Sequence, residues 1–289
     1  MNRSEERYPA FLELDLPPAS PATARFHLIP VPLEASVSYG QGAAQGPRAI
    51  LTASLQLEAF DGKGIPGEAG IYTAPPVPCG TMTVGEALRT AGTQVLAAVR
   101  QRQIPIVLGG EHTVSLGPVQ ALVENGYEFG VVQFDAQADL RDSYEDNPLS
   151  HACVMRRIFD LGVPIFQIGV RSLSAPEAKF RAERGIAGLD AEDIHRHGLP
   201  DPLLPPDFPG HLYVTFDVDA LDPSIMPATG TPEPGGLNWY TAVDALTRVV
   251  QGRTVLAADV VELAPVPGLH APDFTAAKLV YTLMGLLRD

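Results

Sequence analysis

A series of short runs in this chain is apolar almost without interruption: FHLIPVPL at 26–33, PIVLGG at 105–110, FGVVQFDA at 129–136, PIFQIGVR at 164–171, HLYVTFDVD at 211–219 and TVLAADVVEL at 254–263. A strand with one face in water alternates apolar and polar residues, so runs that do not alternate read as strands covered on both faces. Between them lie stretches with helical spacing. Within 82–100, Leu88, Ala91, Val95, Leu96 and Val99 share one helical face. Similar patterns cover 116–125, 150–161, 174–185, 239–251 and 272–287. This alternation predicts an α/β fold, three layers deep (α/β/α), with a mostly parallel central sheet. In such sheets ligands bind beyond the carboxyl ends of the strands.

The bulk properties narrow the setting. Hydrophobic residues at 45% against 19% charged are enough to build a core, which excludes a disordered chain. The 28 prolines are spread over loops, and no repeat or linker divides the sequence, so one domain is expected over 1–289, with 1–25 as an N-terminal extension. A net charge of −14 argues against nucleic acid or an anionic membrane as partner and suits a cationic ligand. Cys79 and Cys153 form no CxxC pair, as expected for free thiols in a reducing cytoplasm. The N-terminus lacks the apolar run of a signal peptide, and no stretch approaches the roughly 20 apolar residues of a membrane helix. A cytoplasmic location is expected.

The strand ends carry metal-ligand residue types. Run 105–110 leads into Glu111-His112, run 129–134 into Asp135-Ala136-Gln137-Ala138-Asp139, run 211–216 into Asp217-Val218-Asp219, and run 254–261 into Glu262. Parallel strands place all of these on one sheet edge. Carboxylates so close cannot all stay ionised unaided: either several pKa values rise or cations neutralise them. An oxygen-rich set with an imidazole suits manganese, and bridging carboxylates could hold two ions. Each cluster alone has a plainer explanation. A spaced Asp pair often caps a helix, and DVDALDP reads equally as an Asp-Pro turn. It is their joint placement at successive strand ends that points to a site, because buried carboxylates are costly unless paired or metal-bound.

GGEHTVSLG (109–117), FDAQADLRDSYEDNPLSHACVMRR (134–157) and FDVDALDPSIMPATGTPEPGGL (216–237) resemble the three signature blocks of the ureohydrolases, the family of arginases, agmatinases, guanidinobutyrases and formiminoglutamases. The resemblance spans nearly the whole chain and implies a single ureohydrolase domain of arginase-like fold. It implies two manganese ions, one held by His112, Asp135, Asp139 and Asp217, the other by Asp135, Asp217, Asp219 and the position of Gln137. It places His151 beside the site as a proton shuttle or substrate contact, Glu262 as the carboxylate gripping the guanidinium, and Thr231 as a second substrate contact. The implied reaction is hydrolysis of a guanidino compound by metal-activated hydroxide, with Asp139 receiving the proton. LRDSYEDNPLSHA lacks the Ser-Gly-Asn of arginases and is similar to the agmatinase version. The expected substrate is therefore agmatine, giving putrescine and urea. Guanidinobutyrase, arginase and formiminoglutamase activities are the alternatives. The resemblance also implies a homo-oligomer, a trimer or hexamer.

The chain departs from this pattern at Gln137, where the family has a histidine. An amide oxygen is a weaker ligand than imidazole for such an ion, so the second ion is expected to bind weakly, and a catalytically impaired homologue is the alternative reading. Glu111 stands where an Asp is more usual and is expected to support the ligands rather than join them. Cys153 and Trp239 are expected to pack. His195-Arg196-His197 reads as a polar loop without a ligand role.

Overall fold

Every pairing in the central sheet is parallel. The structure is a computed structural model and describes residues 8–288. Among the described residues the strands are β1 (Phe26–Val31), β2 (Ile71–Thr73), β3 (Ile104–Gly109), β4 (Gly130–Phe134), β5 (Ile165–Ile168), β6 (Ala187–Leu189), β7 (His211–Asp217) and β8 (Thr254–Val261). They lie in the order β2-β1-β3-β8-β7-β4-β5-β6. The chain thus starts at β1, adds β2 outside it and β3 inside it, moves to β4 and builds outward through β5 and β6, and returns to insert β7 and β8 between β3 and β4. The central four strands are the ones whose ends carry the acidic and imidazole residues.

The helices are α1 (Gly46–Ser54), α2 (Val84–Arg100), α3 (Leu116–Glu124), α4 (Val154–Asp160), α5 (Ala175–Glu183), α6 (Ala191–His197), α7 (Trp239–Val250) and α8 (Ala271–Leu287). Two apolar cores flank the sheet. Residues of α1, α7 and α8 pack on one face, and residues of α2, α3 and α4 on the other. The strand interiors are buried on both faces, which is why their sequences do not alternate. Helix α2 starts at a capping box in which Thr83 and Glu86 satisfy each other's backbone N–H groups. Its buried face includes Ala87, Leu88, Ala91, Val95 and Val99. Among the described residues no helix is long and apolar enough to cross a membrane.

The central strands stop short of their apolar runs, because the last residues of those runs leave the sheet toward the site. The edge strands β2 and β6 escape a reading by apolar runs because each has only three residues. The segment holding His195 and His197 is a correction: it is the last turn of α6, not a loop, and both histidines are exposed there. Of the N-terminal extension, residues 1–7 lie outside the described residues. Further along it, Phe11 and Leu12 are buried in the core, and Leu12 N donates to Ser54 Oγ at the end of α1.

Two glycines set close backbone approaches. A Cβ at Gly110 would lie 2.0 Å from the Leu33 carbonyl oxygen, so the turn that follows β3 can pass β1's extension only without a side chain. A Cβ at Gly117 would lie 2.2 Å from the Leu88 carbonyl oxygen, where α3 crosses α2. Gly117→Ala is expected to destabilise the fold by about 2 kcal/mol in urea unfolding, the scale of overpacking a tight contact. Gly80→Ala, with nothing within 4 Å of its Cβ, should stay within about 0.5 kcal/mol of the parent.

Candidate metal centre

The four central strands deliver the site from below. After β3, Gly110 turns the chain and His112 opens a short helical turn, with its N–H donating to Glu262 Oε1 at 2.6 Å. Glu262, just past β8, donates its own N–H to the Gly110 carbonyl at 2.8 Å, so the ends of these two neighbouring strands lock together. After β4, Asp135 is held by the Gln137 N–H at 2.6 Å on one oxygen and Gln133 Nε2 at 2.6 Å on the other. At the end of β7, Asp217 accepts the Asp219 N–H at 2.8 Å, and Asp219 accepts the Ala136 N–H at 3.1 Å. Asp139 and Glu262 both take left-handed backbone angles, φ 52° and 65°. For residues other than glycine this is a strained state that clusters at functional sites.

These constraints bring together two overlapping groups. One ligand atom from each of His112, Asp135 and Asp139 lies within 4.8 Å of the others, and the same holds for Asp135, Asp217 and Asp219. All five residues are buried. His112 Nδ1 lies 3.0 Å from oxygens of Asp135 and Asp139 and 3.6 Å from one of Asp217. It nevertheless has no aligned hydrogen-bond partner among the described residues. A buried nitrogen that faces several carboxylate oxygens without bonding to any fits a coordinated divalent ion better than a hydrogen-bond network. The donor types, one imidazole and several carboxylates, suit manganese.

The metal-free electrostatics show the cost of the arrangement. Burial raises Asp139 to a pKa of about 7, aided by the Asp135 charge and opposed by His112. Burial raises Asp219 to about 8, again with Asp135 adding repulsion and the Ala136 N–H opposing. Asp217 and Glu262 are pushed well above the carboxylate range, chiefly by burial. For His112, burial alone would lower the pKa, but the Asp135 and Asp139 carboxylates outweigh it and raise it well above 6.5.

Above the cluster opens a cleft of about 320 Å³ lined by, among others, Gln137, His151, Thr231, Glu233 and Glu262. Every sequence-derived candidate is thus a cleft residue or a member of the buried cluster beneath it. Gln137 is half-buried and reaches the cleft from the loop after β4. His151 is gripped through both ring nitrogens, by Ser38 Oγ at Nε2 (2.8 Å) and Ser36 Oγ at Nδ1 (3.3 Å). Glu111 does not join the cluster. It accepts the N–H groups of Ala35 and Ser36, both at 2.6 Å, and so holds the loop that carries those serines. Cys153 is buried and Trp239 packs at the start of α7.

The sequence reading missed several contributors. Ser36 and Ser38 have no signature of their own. Arg171 donates to the carbonyls of Gly169, Asp219, Glu233 and Pro234, clamping the end of β5 to two site loops. Glu177 caps α5 and accepts the Leu140 N–H beside Asp139. Thr229 lines the cleft with Thr231 and has a buried Oγ1 without a partner among the described residues.

A model of the arginase family matches residues 24–285. The chain is 39% identical over 265 residues to the N(1)-aminopropylagmatine ureohydrolase of Thermus thermophilus, covering 91% of this chain and 90% of that one. It is 34% identical over 278 residues to the agmatinase of Pyrococcus horikoshii, covering 95% and 96%. Among solved structures, the agmatine ureohydrolase of Thermoplasma volcanium superimposes with a TM-score of 0.84 at 28% identity, covering 98% of this chain and 96% of that one.

The raised pKa values fix a direction for stability. Carboxyl groups that ionise near 7 and 8 in the fold but near 3.8 when unfolded bind more protons folded than unfolded between those values. Stability is therefore lost as pH rises through that window. His112, also raised, acts in the same sense. Metal-free protein is expected to melt at progressively lower temperature from about pH 5 to pH 8. Added Mn2+ should raise the melting temperature most at the alkaline end. Differential scanning fluorimetry across this range, with and without chelator, reads both.

Proposed function

The chain belongs to the arginase family and is a ureohydrolase, and we propose that it uses manganese to release urea from agmatine, leaving putrescine. The observation that carries this reading is the pairing of the His112–Asp135–Asp139 and Asp135–Asp217–Asp219 groups beneath a cleft lined by Glu262. In this reading His112, Asp135, Asp139 and Asp217 hold one ion. Asp135, Asp217, Asp219 and the Gln137 amide oxygen hold the other. Bound there, the ions supply Lewis acidity, which brings a water's ionisation into the neutral range.

The remaining steps fall to this chain's side chains. Glu262 accepts hydrogen bonds from the substrate guanidinium, a charge-assisted contact that fixes the carbon over the cluster. A guanidinium cation also favours the ionised form of a carboxyl that burial otherwise protonates. Thr231, which lines the same cleft, supplies a second contact. Asp139 accepts the proton of the attacking water. His151, oriented by Ser36 and Ser38, delivers a proton to the departing amine. Burial pulls His151 below 6.5, so it is neutral at pH 7 and acts by relaying a proton rather than by storing one.

A second reading of the tail is favoured by the names of relatives. Proteins 37–39% identical to this chain are N(1)-aminopropylagmatine ureohydrolases, so an agmatine extended by an aminopropyl group is the competing substrate. A homo-oligomer, a trimer or hexamer, is part of the same proposal.

A panel of agmatine, N(1)-aminopropylagmatine, arginine, guanidinobutyrate and formiminoglutamate, assayed for urea or the corresponding amide with added Mn2+, decides the substrate. Agmatine is expected to have the highest kcat/KM. No turnover of any member by manganese-loaded protein would overturn the proposal. Glu262→Gln is expected to lower kcat/KM for the preferred substrate by roughly 100-fold, the scale of losing a buried charged contact. Gln137→His is expected to raise manganese content from about one ion per chain to two, with a higher rate; two firmly held ions in the parent would refute the weak second site.

A further inference from the structure

We propose that Asp259, acting through Thr215, is a positioning residue that fixes which nitrogen of His112 faces the carboxylate cluster. The inference rests on the reading that His112 is a metal ligand. Asp259 sits in the interior of β8, fully buried in a run that is otherwise apolar. It belongs to neither ligand group. A carboxylate there demands partners, and it has them. Tyr213 Oη donates to Asp259 Oδ2 at 2.6 Å, and Thr215 Oγ1 donates to Asp259 Oδ1 at 2.6 Å. Thr215 and Asp259 are register partners on adjacent strands β7 and β8. Thr215 Oγ1 also lies 2.8 Å from His112 Nε2. Tyr213, Thr215 and Asp259 are all completely buried.

Counting protons gives the direction. Asp259 takes a hydroxyl donor at each of its two oxygens and so acts as an acceptor toward both neighbours. The single hydroxyl proton of Thr215 is therefore committed to Asp259, and its oxygen meets His112 as an acceptor. Ser115 Oγ, at 3.3 Å from Thr215 Oγ1, is a poorer acceptor for that proton than a carboxylate oxygen at 2.6 Å. His112 Nε2 must then carry the N–H. A neutral imidazole has one N–H, so Nδ1 presents its lone pair to Asp135, Asp139 and Asp217, as a metal ligand must. Without Asp259 the Thr215 hydroxyl is free to turn and donate to Nε2. That selects the opposite tautomer and points an N–H into the cluster. Tyr213 occupies the second carboxylate oxygen and keeps Asp259 from swinging away.

The test is Mn2+ titration of the full chain by calorimetry, on the parent and on Thr215→Val, Thr215→Ser and Asp259→Leu. Thr215→Val keeps the shape and removes the relay; it is expected to weaken the tighter Mn2+ site by roughly 10–100-fold, the usual cost of losing an outer partner of a ligand histidine. Thr215→Ser keeps the hydroxyl and should restore the parent affinity. In metal-free protein at a pH alkaline enough to keep His112 neutral, 15N chemical shifts should report a protonated Nε2 in the parent and a shift away from that tautomer in Asp259→Leu, which offers the Thr215 hydroxyl no acceptor. These shifts decide the matter if Thr215→Val fails to fold. Parent-like Mn2+ affinity in folded Thr215→Val, or unchanged 15N shifts in Asp259→Leu, overturns the relay while leaving the metal reading intact. No Mn2+ binding by the parent overturns the metal reading, and this inference with it.

Discussion

Repulsion among carboxylates withdrawn from water is the constraint around which this molecule is arranged. Asp135, Asp139, Asp217 and Asp219 are all buried within one small volume. Two like charges about 4 Å apart repel by ~4 kcal/mol at an effective dielectric of 20. A hydrogen bond to a charged group returns about 1.5–3 kcal/mol. The N–H groups of Ala136, Gln137 and Asp219 and the Gln133 amide therefore hold the carboxylates in place without offsetting several simultaneous repulsions. Two remedies remain, protonation or a cation. The pKa values near 7 and 8 for Asp139 and Asp219 are the first remedy at work in metal-free protein. The His112 Nδ1 without an aligned partner, 3.0 Å from oxygens of both Asp135 and Asp139, suits the second.

Such a cluster needs a rigid floor, and the sheet order supplies it. The strands β3, β8, β7 and β4 are contiguous although they are widely separated in the chain. Each contributes its end to the same point, and each is braced to its neighbour by backbone bonds in register. Strain at Asp139 and Glu262, of order 1–3 kcal/mol each for such backbone angles, is tolerable only because both flanks are fixed. Asp139 is anchored by Arg156 N–H to its carbonyl and by Glu177 to its neighbour Leu140. Glu262 is tied on both sides to the turn after β3.

How much of this a linear sequence carries depends on the range of the interaction. The strands that matter were legible because burial on both faces forces long apolar runs, and the parallel sheet followed from helices between them. The acidic clusters were legible because each sits directly after such a run. What stayed hidden was any feature set by distant pairing. No local pattern says that β7 and β8 insert between β3 and β4. Ser36 and Ser38 act on His151 across more than a hundred residues. Edge strands of three residues bury too little to leave a pattern. Two signals were present and unread: Asp259 stands inside an apolar run where a charge must have a partner, and Glu177 follows Ser174 at the capping-box spacing.

The same distinction explains why the reaction is easier to infer than its substrate. The floor of the cleft is made of strand ends, whose positions the hydrogen-bonded sheet dictates, so the residue types there specify the chemistry almost alone. The rim is made of loops, among them those that carry Ser36, Val37, Ser38 and Gly40, Arg141 and Tyr144, and Thr229, Thr231 and Glu233. These segments lean on one another through single contacts, such as Gly40 N–H to the Gly230 carbonyl, and on carboxylates such as Glu34 and Glu111 that hold loop N–H groups. A rim of this kind can change charge or reach by a substitution that leaves the floor untouched. Arg141 and Glu233 already put opposite charges on it. The floor is fixed by the hydrogen bonds of the sheet, whereas the rim is fixed by side chains such as Glu111 and Arg171 that hold its loops from outside them, so the strand-end motifs carry the class of reaction and leave the rest of the substrate to residues without a motif.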